Sequence, residues 1–550
     1  MGYVIGGNIV AKAIAAEGIT HVFTLCGGHV QAIYEGCLHE GIRVVDVRHE
    51  QTAGHAADAW ARLTGKPGVA IVTAGPGLTN TVTAVANAQR AQVPMVIMGG
   101  QAAKNVGLFG GQDRGGLQDM NHVELMRAVT KWSVSVPETR RLADYVQSAF
   151  RVAMSGVPGP VYLEMPIDIL MSAVSEDDVI AYTGYRTSAR TLGDPASISE
   201  AVAVLSRSER PLLLVGSQWR WSGSRDGLAK LLEVMPQPTF VSGMARGALS
   251  AEHPCSFKRA RSKALKDADC VVVVGTPLDF RLGYGSKIPD GAKLIQIDLD
   301  GAEIGRNRKV DVGIVGDADA ILGQLASHVR PEHVAARVAW LDRVRKIEEG
   351  LVASTAAELE SDAEPINPMR LCAEINRFID EKTIVIGDGG DFVATAAYTL
   401  DVKGLGNWMD PGPLGTLGVG PGYAMAAKLA RPDHKVVILY GDGSFGFHAM
   451  EFEAMVRQGI PVVGIIGNDA CWTQIHRGQV MVYGESHAVA TTLDYTHYEG
   501  VVEAVGGHGE YVERLADLRP ALERAFAAGT PALVNVKIGG SDFRKGALSV

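Results

Sequence analysis

Asp442 and Asn468 are the two side chains whose types and spacing point most directly to chemistry. Both lie in GDGSFGFHAMEFEAMVRQGIPVVGIIGND, residues 441–469. The apolar run KVVILY (435–440) leads into Gly441-Asp442-Gly443. A helical pattern follows, and a second apolar run, PVVGII (461–466), leads into Asn468. A strand–turn–helix–strand unit lays its two strands parallel and side by side, because the crossover is right-handed. Asp442 and Asn468 are therefore expected at one carboxyl edge of a sheet, where open α/β sheets bind ligands. A carboxylate, an amide oxygen, a backbone carbonyl and phosphate oxygens make a donor set for octahedral Mg²⁺. Gly441, Gly443 and Gly446 let the backbone come close to a phosphate.

A second group of candidates lies far upstream. The short apolar run in IRVVDVRHE (42–50) leads into Arg48-His49-Glu50, and a helical pattern follows. The strand GVAIVTAG (68–75) then enters the turn GPGLTN (75–80). His29 sits in Cys26-Gly27-Gly28-His29, just after the short strand VFTL (22–25), and Gln118 lies in GGLQDMNHVELM. Imidazole titrates near neutral pH, so a histidine at a strand end is a natural base.

These residues need α/β layers to position them. The first 172 or so residues alternate short apolar strands with helical patterns and end in PVYLEMP (160–166). A polar stretch (175–194) reads as a linker, and a second βα block carries PLLLVG (211–216), CVVVVG (270–275) and LIQIDL (294–299). The charged helical stretch 331–362 connects to a third block that opens with TIVIGDGG (383–390). The expected architecture is three doubly wound parallel-sheet domains at 1–174, 191–330 and 366–540, followed by a tail at 541–550. The first and third share their strand–Gly turn–helix grammar.

Composition fits a large cytoplasmic enzyme, with 47% hydrophobic residues and a formal net charge of -9. No basic stripe points to nucleic acid, and no apolar run reaches the ~18 residues of a membrane span. The N-terminal residues read as an amphipathic helix, not as a signal peptide. Six cysteines lack metal or CxxC spacing and read as reduced, mostly buried thiols.

Over essentially its whole length the chain resembles the thiamin-diphosphate-dependent acetolactate synthase-like superfamily, on the motif GDG followed by Asn468. The resemblance implies cofactor contacts at Gly441, Asp442, Gly443, Ser444 and Asn468, with Mg²⁺ held by Asp442, Asn468 and the Ala470 carbonyl. Glu50 would hydrogen-bond the aminopyrimidine N1′ and so activate the thiazolium C2. In PGPLGTLGVGPGY (411–423), Leu417 would wedge under the cofactor and the Gly415 carbonyl would accept from the aminopyrimidine.

His29 and Gln118, with GDGGDFV (387–393), NDACWTQIHRGQV (468–480) and the tail, look most like the 2-hydroxyacyl-CoA lyases of this superfamily, and are also similar to benzaldehyde lyase. That implies reversible cleavage of a 2-hydroxyacyl-CoA into an aldehyde or ketone plus formyl-CoA, with His29 as base and Gln118 holding an oxygen. Trp472 and Gln474 would border the substrate cavity. Acetolactate synthesis from two pyruvates, acyloin cleavage, and a non-catalytic nucleotide- or CoA-binding relative are the other readings. The intact Glu50, Asp442 and Asn468 argue against the last. In relatives the central domain binds FAD, ADP or nothing; here Arg246, Arg281 and Asp298 are the candidate nucleotide contacts. The resemblance also implies a cofactor held between two chains, hence a homodimer as the smallest active unit and a homotetramer as the assembly.

Overall fold

The computed structural model describes residues 2–104, 110–541 and 543. Most of the tail named above lies outside them. Three parallel sheets form the frame. Across the first the strands run Arg43–Asp46, His21–Thr24, Gly68–Val72, Met95–Gln101, Pro160–Pro166, Ser133–Ser135. Across the third they run Trp408–Met409, Thr383–Asp388, Lys435–Gly441, Val463–Asn468, Ala532–Lys537, His508–Val512. Counted along the chain within each domain, both orders are 2-1-3-4-6-5, so the shared sequence grammar reflects one topology used twice. The central sheet runs Thr239–Val241, Pro211–Val215, Cys270–Val274, Lys293–Asp298, Val312–Val315, the order 2-1-3-4-5. A short antiparallel pair, Tyr3–Ile5 with Ala173–Ser175, ties the two ends of the first domain together.

Near-continuous Val/Ile/Leu runs form these strands because helices cover both faces. Strands such as Gly68–Val72 and Cys270–Val274 are buried along their whole length. In every sheet the chain reverses winding direction between the first and third strands. That topological switch point opens a crevice at the carboxyl edge.

The first and third domains are joined by a buried polar network. Helix Glu50–Thr64 packs on helix Gly420–Ala430. Between them Asp58 accepts from Arg62 (Nε, 2.6 Å), Asn87 (3.0 Å) and the Tyr423 hydroxyl (2.8 Å), while Arg62 also reaches the Asp410 carbonyl (2.7 Å). Asp58→Ala strands the buried Arg62 guanidinium without its carboxylate. The expected loss is about 3–5 kcal/mol, read as a lowered urea midpoint, whereas an unchanged midpoint would show the network to be dispensable.

Candidate active site

The switch point of the first sheet lies between the ends of His21–Thr24 and Gly68–Val72. His29 follows the first of these in the turn Gly28–Val30, and Thr73 follows the second. His29 Nδ1 is 3.1 Å from Thr73 Oγ1, and that hydroxyl donates to Gln118 Oε1 at 3.4 Å. Gln118 is held at φ 60°, a left-handed conformation that a non-glycine residue adopts at a cost. Gly75 has φ 57°, and a Cβ there would come within 2.8 Å of Gln118 Cβ, so glycine is required where the two segments touch. Burial pushes the pKa of His29 below its ordinary value, and a backbone hydrogen bond to Leu117 opposes this. His29 is therefore biased toward its uncharged, proton-accepting form.

Glu50 is the first residue of its helix, which is capped by His49, whose Nδ1 accepts from the Gln51 amide at 3.1 Å. Its carboxylate is buried, with Oε2 accepting from Asn80 Nδ2 at 2.9 Å. A Cβ on Gly77 would lie 3.6 Å from the other oxygen. Glu50, Thr73 and, through Thr73, His29 and Gln118 thus surround a single turn, residues 73–80. Thr73 and Asn80 were not singled out in the sequence, where nothing distinguishes them from ordinary turn residues.

The second half-site is the switch point of the third sheet, between Thr383–Asp388 and Lys435–Gly441. Asp442 opens helix Asp442–His448 and accepts from the amides of Gly443 (2.8 Å) and Cys471 (3.2 Å). Burial, then the neighbouring charge of Asp469, raises its pKa to about 7. Burial raises Asp469 to about 6, and its carboxylate accepts from Thr473 Oγ1 at 2.5 Å.

The neighbouring candidates Asn468 and Ala470 are held by the loop itself. Asn468 is still within its strand, paired with Lys537, and its fully buried side chain points into the sheet layer. Its Nδ2 donates to Asn535 Oδ1 (3.1 Å) and its Oδ1 accepts from Ala470 N (3.2 Å). The Ala470 carbonyl in turn accepts from Leu493 N at 2.7 Å. Asn468 and Ala470 thus each take a hydrogen bond within the loop, and the residue past the strand end, Asp469, is the one whose charge reaches Asp442. The buried Asp442 and half-buried Asp469 carboxylates, close enough for the charge of one to act on the other, offer hard oxygen donors of the kind that fits a divalent Mg²⁺-like cation.

Ser444 Oγ donates to the Gly441 carbonyl at 3.0 Å. Leu417 and Ser444 flank Gly389, where a Cβ would meet Leu417 Cδ2 at 2.0 Å. Behind Leu417, the buried Asp388 carboxylate takes the amides of Gly418 and Gly420, both at 2.7 Å. Gly415 is exposed at φ 68° with open space around it. Trp472 lies over the GDG turn: a Cβ on Gly443 would sit 2.4 Å from its ring. Gly443 thus makes room for the indole, an account the phosphate argument had not included. Gln474 is half-buried on helix Thr473–Tyr483.

The three central-domain candidates stand apart. Arg246 lines a cavity of about 640 Å³ between the central and third domains, with Lys258, Arg261, Tyr398 and Trp408. Arg281 is committed to Asp279 (2.6 Å) and borders a separate cavity of about 40 Å³. Asp298 is buried, accepts from Gln218 (2.7 Å) and Asp300 N (2.8 Å), lines neither cavity, and is pushed up to about 6 by burial.

Two sheets of identical strand order, one with a buried Glu at its switch point and one with an acidic Gly-rich turn, define a thiamin-diphosphate enzyme. The sequence matches the thiamine pyrophosphate enzyme family in its N-terminal TPP binding domain (residues 5–125), central domain (198–325) and C-terminal TPP binding domain (388–536). The chain belongs to that family, and its chemistry is that of a carbon–carbon lyase or carboligase. It is 40% identical over 532 residues to the acetolactate synthase large subunit IlvG of Mycobacterium tuberculosis, covering 96% of this chain and 95% of that one. It is 37% identical to 2-hydroxyacyl-CoA lyase 2 of Caenorhabditis elegans over 593 residues (99% and 91%) and of Homo sapiens over 588 residues (99% and 92%). Among the described residues no helix is long and apolar enough to cross a membrane.

Proposed function

We propose that this enzyme, with thiamin diphosphate and Mg²⁺, reversibly cleaves a 2-hydroxyacyl-CoA into an aldehyde or ketone and formyl-CoA. The observation that carries the reading is the His29–Thr73–Gln118 hydrogen-bond set on the turn that also borders Glu50. A lyase of this type needs a base for the substrate 2-hydroxyl beside the cofactor-activating carboxylate. Bound between the half-sites, thiamin diphosphate supplies the electron sink for C–C cleavage. Glu50 exchanges a proton with the aminopyrimidine. Asp442 and Asp469 would hold the metal, and Leu417 would support the cofactor.

Because Thr73 donates its hydroxyl proton to Gln118, its oxygen accepts from His29 Nδ1–H, which orients the imidazole on the turn. His29 then takes the 2-hydroxyl proton as the bond between C1 and C2 breaks, and the Gln118 amide orients that oxygen. In the same reading Trp472 and Gln474 border the acyl-CoA, and the cavity at Arg246 receives a nucleotide: bound ADP, FAD, or the ADP part of the CoA ester.

Two chains complete one site in this reading. Within one chain, the start of the Glu50 helix meets the third domain at Glu451, which accepts from Arg48 N (2.9 Å), and at His448, whose ring lies 5.2 Å from that of His49. His448 is the last residue of the Asp442 helix, about 9 Å along its axis from Asp442. Exposed apolar side chains lie near both half-sites, among them Leu117 beside Gln118 and Phe447 and Met450 beyond the GDG turn. They support a homodimer as the active unit, with a homotetramer built from it.

The acetolactate synthase relative favours a second reading, condensation of two pyruvates. Purified enzyme with thiamin diphosphate and Mg²⁺, given 2-hydroxyisobutyryl-CoA and pyruvate in parallel, separates them by mass. Formyl-CoA is the expected product, and acetolactate alone would reject the lyase.

A further inference from the structure

A second buried network stands behind the base and is not used by the reaction as described. His122 is fully buried at the start of helix His122–Arg127. Its Nε2 is 2.8 Å from the Gly75 amide, and its Nδ1 is 3.1 Å from Glu164 Oε2. A backbone amide can only donate, so Nε2 carries no hydrogen. The ring proton therefore sits on Nδ1, facing the carboxylate. Glu164 is itself buried, at the carboxyl end of strand Pro160–Pro166, and also receives Gln101 Nε2 at 3.3 Å. The same Gln101 nitrogen donates to the Met120 carbonyl at 2.8 Å. One carboxylate thus holds both segments of the base: the 73–77 turn through His122, and the Gln118 loop through Gln101. The two segments meet where Gly75 packs on Gln118, both in left-handed conformations that do not hold themselves in place.

We propose that His122, oriented by Glu164, is a positioning residue for turnover: it clamps the Gly75 turn against the Gln118 loop and so fixes the His29–Thr73–Gln118 hydrogen-bond set. This rests on the reading of His29 as the base. Nothing in the arrangement brings His122 to the substrate; its effect passes through Thr73.

The test compares His122→Leu, which removes both bonds, with His122→Gln, whose amide oxygen can accept from Gly75 and whose amide nitrogen can donate to Glu164. His122→Leu is expected to lower kcat by about 10- to 100-fold, the scale of an ångström-level misplacement. Its KM and thiamin-diphosphate affinity should stay near wild type, and His122→Gln should recover most of the loss. Amide hydrogen exchange of the peptide containing Gly75 should speed up in the leucine variant and slow again with glutamine. A leucine variant with wild-type kcat, or with unchanged exchange at Gly75, overturns the proposal. So does a folded glutamine variant no better than leucine.

Should the leucine variant not fold, Glu164→Met, which removes the acceptor that fixes the ring proton at similar volume, takes its place. A loss of kcat with retained cofactor affinity is then expected, and wild-type turnover overturns the proposal. If the wild-type enzyme makes acetolactate and no formyl-CoA, the lyase reading fails by itself. The variants are then judged on acetolactate formation and on the exchange at Gly75.

Discussion

Glu50→Gln lowers turnover by about 10²- to 10⁴-fold, the usual contribution of a positioned acid–base group, while thiamin-diphosphate affinity and the unfolding midpoint stay close to wild type. The separation follows from how Glu50 is held. Its Oε2 accepts from Asn80, and its helix starts on the His49 cap. A glutamine oxygen can take the same Asn80 hydrogen bond in nearly the same volume, so neither the helix start nor the 73–80 turn has reason to move. What the amide lacks is a proton to exchange with the cofactor ring. Steady-state kinetics, with NMR measurement of proton exchange at the cofactor's C2, checks this: both rates should fall together. Unchanged turnover would remove Glu50 from the mechanism, and lost cofactor binding would make its role structural.

The metal pair carries the second large effect. Asp442→Ala or Asp469→Asn should raise the Mg²⁺ concentration needed for half-maximal activity by at least the upper end of the roughly 10- to 100-fold seen for groups that support a metal. Asn468→Ala should act less on metal affinity than on stability, because its side chain bonds Asn535 and Ala470. The opposite ranking would reinstate Asn468 as the ligand and refute the assignment to Asp469.

The pH dependence has a definite sign. Without a cation the two carboxyls titrate near 7 and 6, well above the 3.8 of a free aspartate, because of burial and, for Asp442, the charge of Asp469. The metal-free folded state therefore binds more protons than the unfolded chain. Its stability declines as pH rises from about 4 through 7. Cation and proton compete for the same oxygens, so Mg²⁺ affinity, measured calorimetrically with thiamin diphosphate present, is strongest above pH 7. It weakens as pH falls through 7 to 6, with protons released on binding in that window. Affinity flat between pH 5 and 8 would mean that these carboxyls are not the ligands.

Much of this was legible in one sequence because α/β chemistry is largely local. An apolar run ending in Gly-Asp-Gly, a helix and a second apolar run can pack back onto the sheet with one handedness, so Asp442 had to emerge at a carboxyl edge beside the next strand's end. Glu50 lies four residues past the strand Arg43–Asp46, at the start of its helix, and gained its meaning only beside the GDG motif. The recurrence of strand–Gly turn–helix in the first and third blocks anticipated two domains of one topology.

What lay beyond the sequence turned on the exact end of a strand and on long-range packing. Side chains alternate faces every residue, so ending the strand at 468 sends Asn468 into the layer and leaves Asp469 at the edge; apolar patterning does not mark that last step. Thr73, Asn80, His122 and Glu164 act through partners between 30 and 47 positions away, distances over which a single sequence carries no register. Arg246 and Arg281 follow strands of the central domain and Asp298 ends one, yet the fold leads them to different surroundings. The sequence by itself determined the cofactor class, since the strand–turn–helix motif that carries it is local. Which neighbours surround His29 and Glu50, and which of two adjacent residues lets its charge reach Asp442, only the tertiary structure decided, since those depend on how separate turns pack.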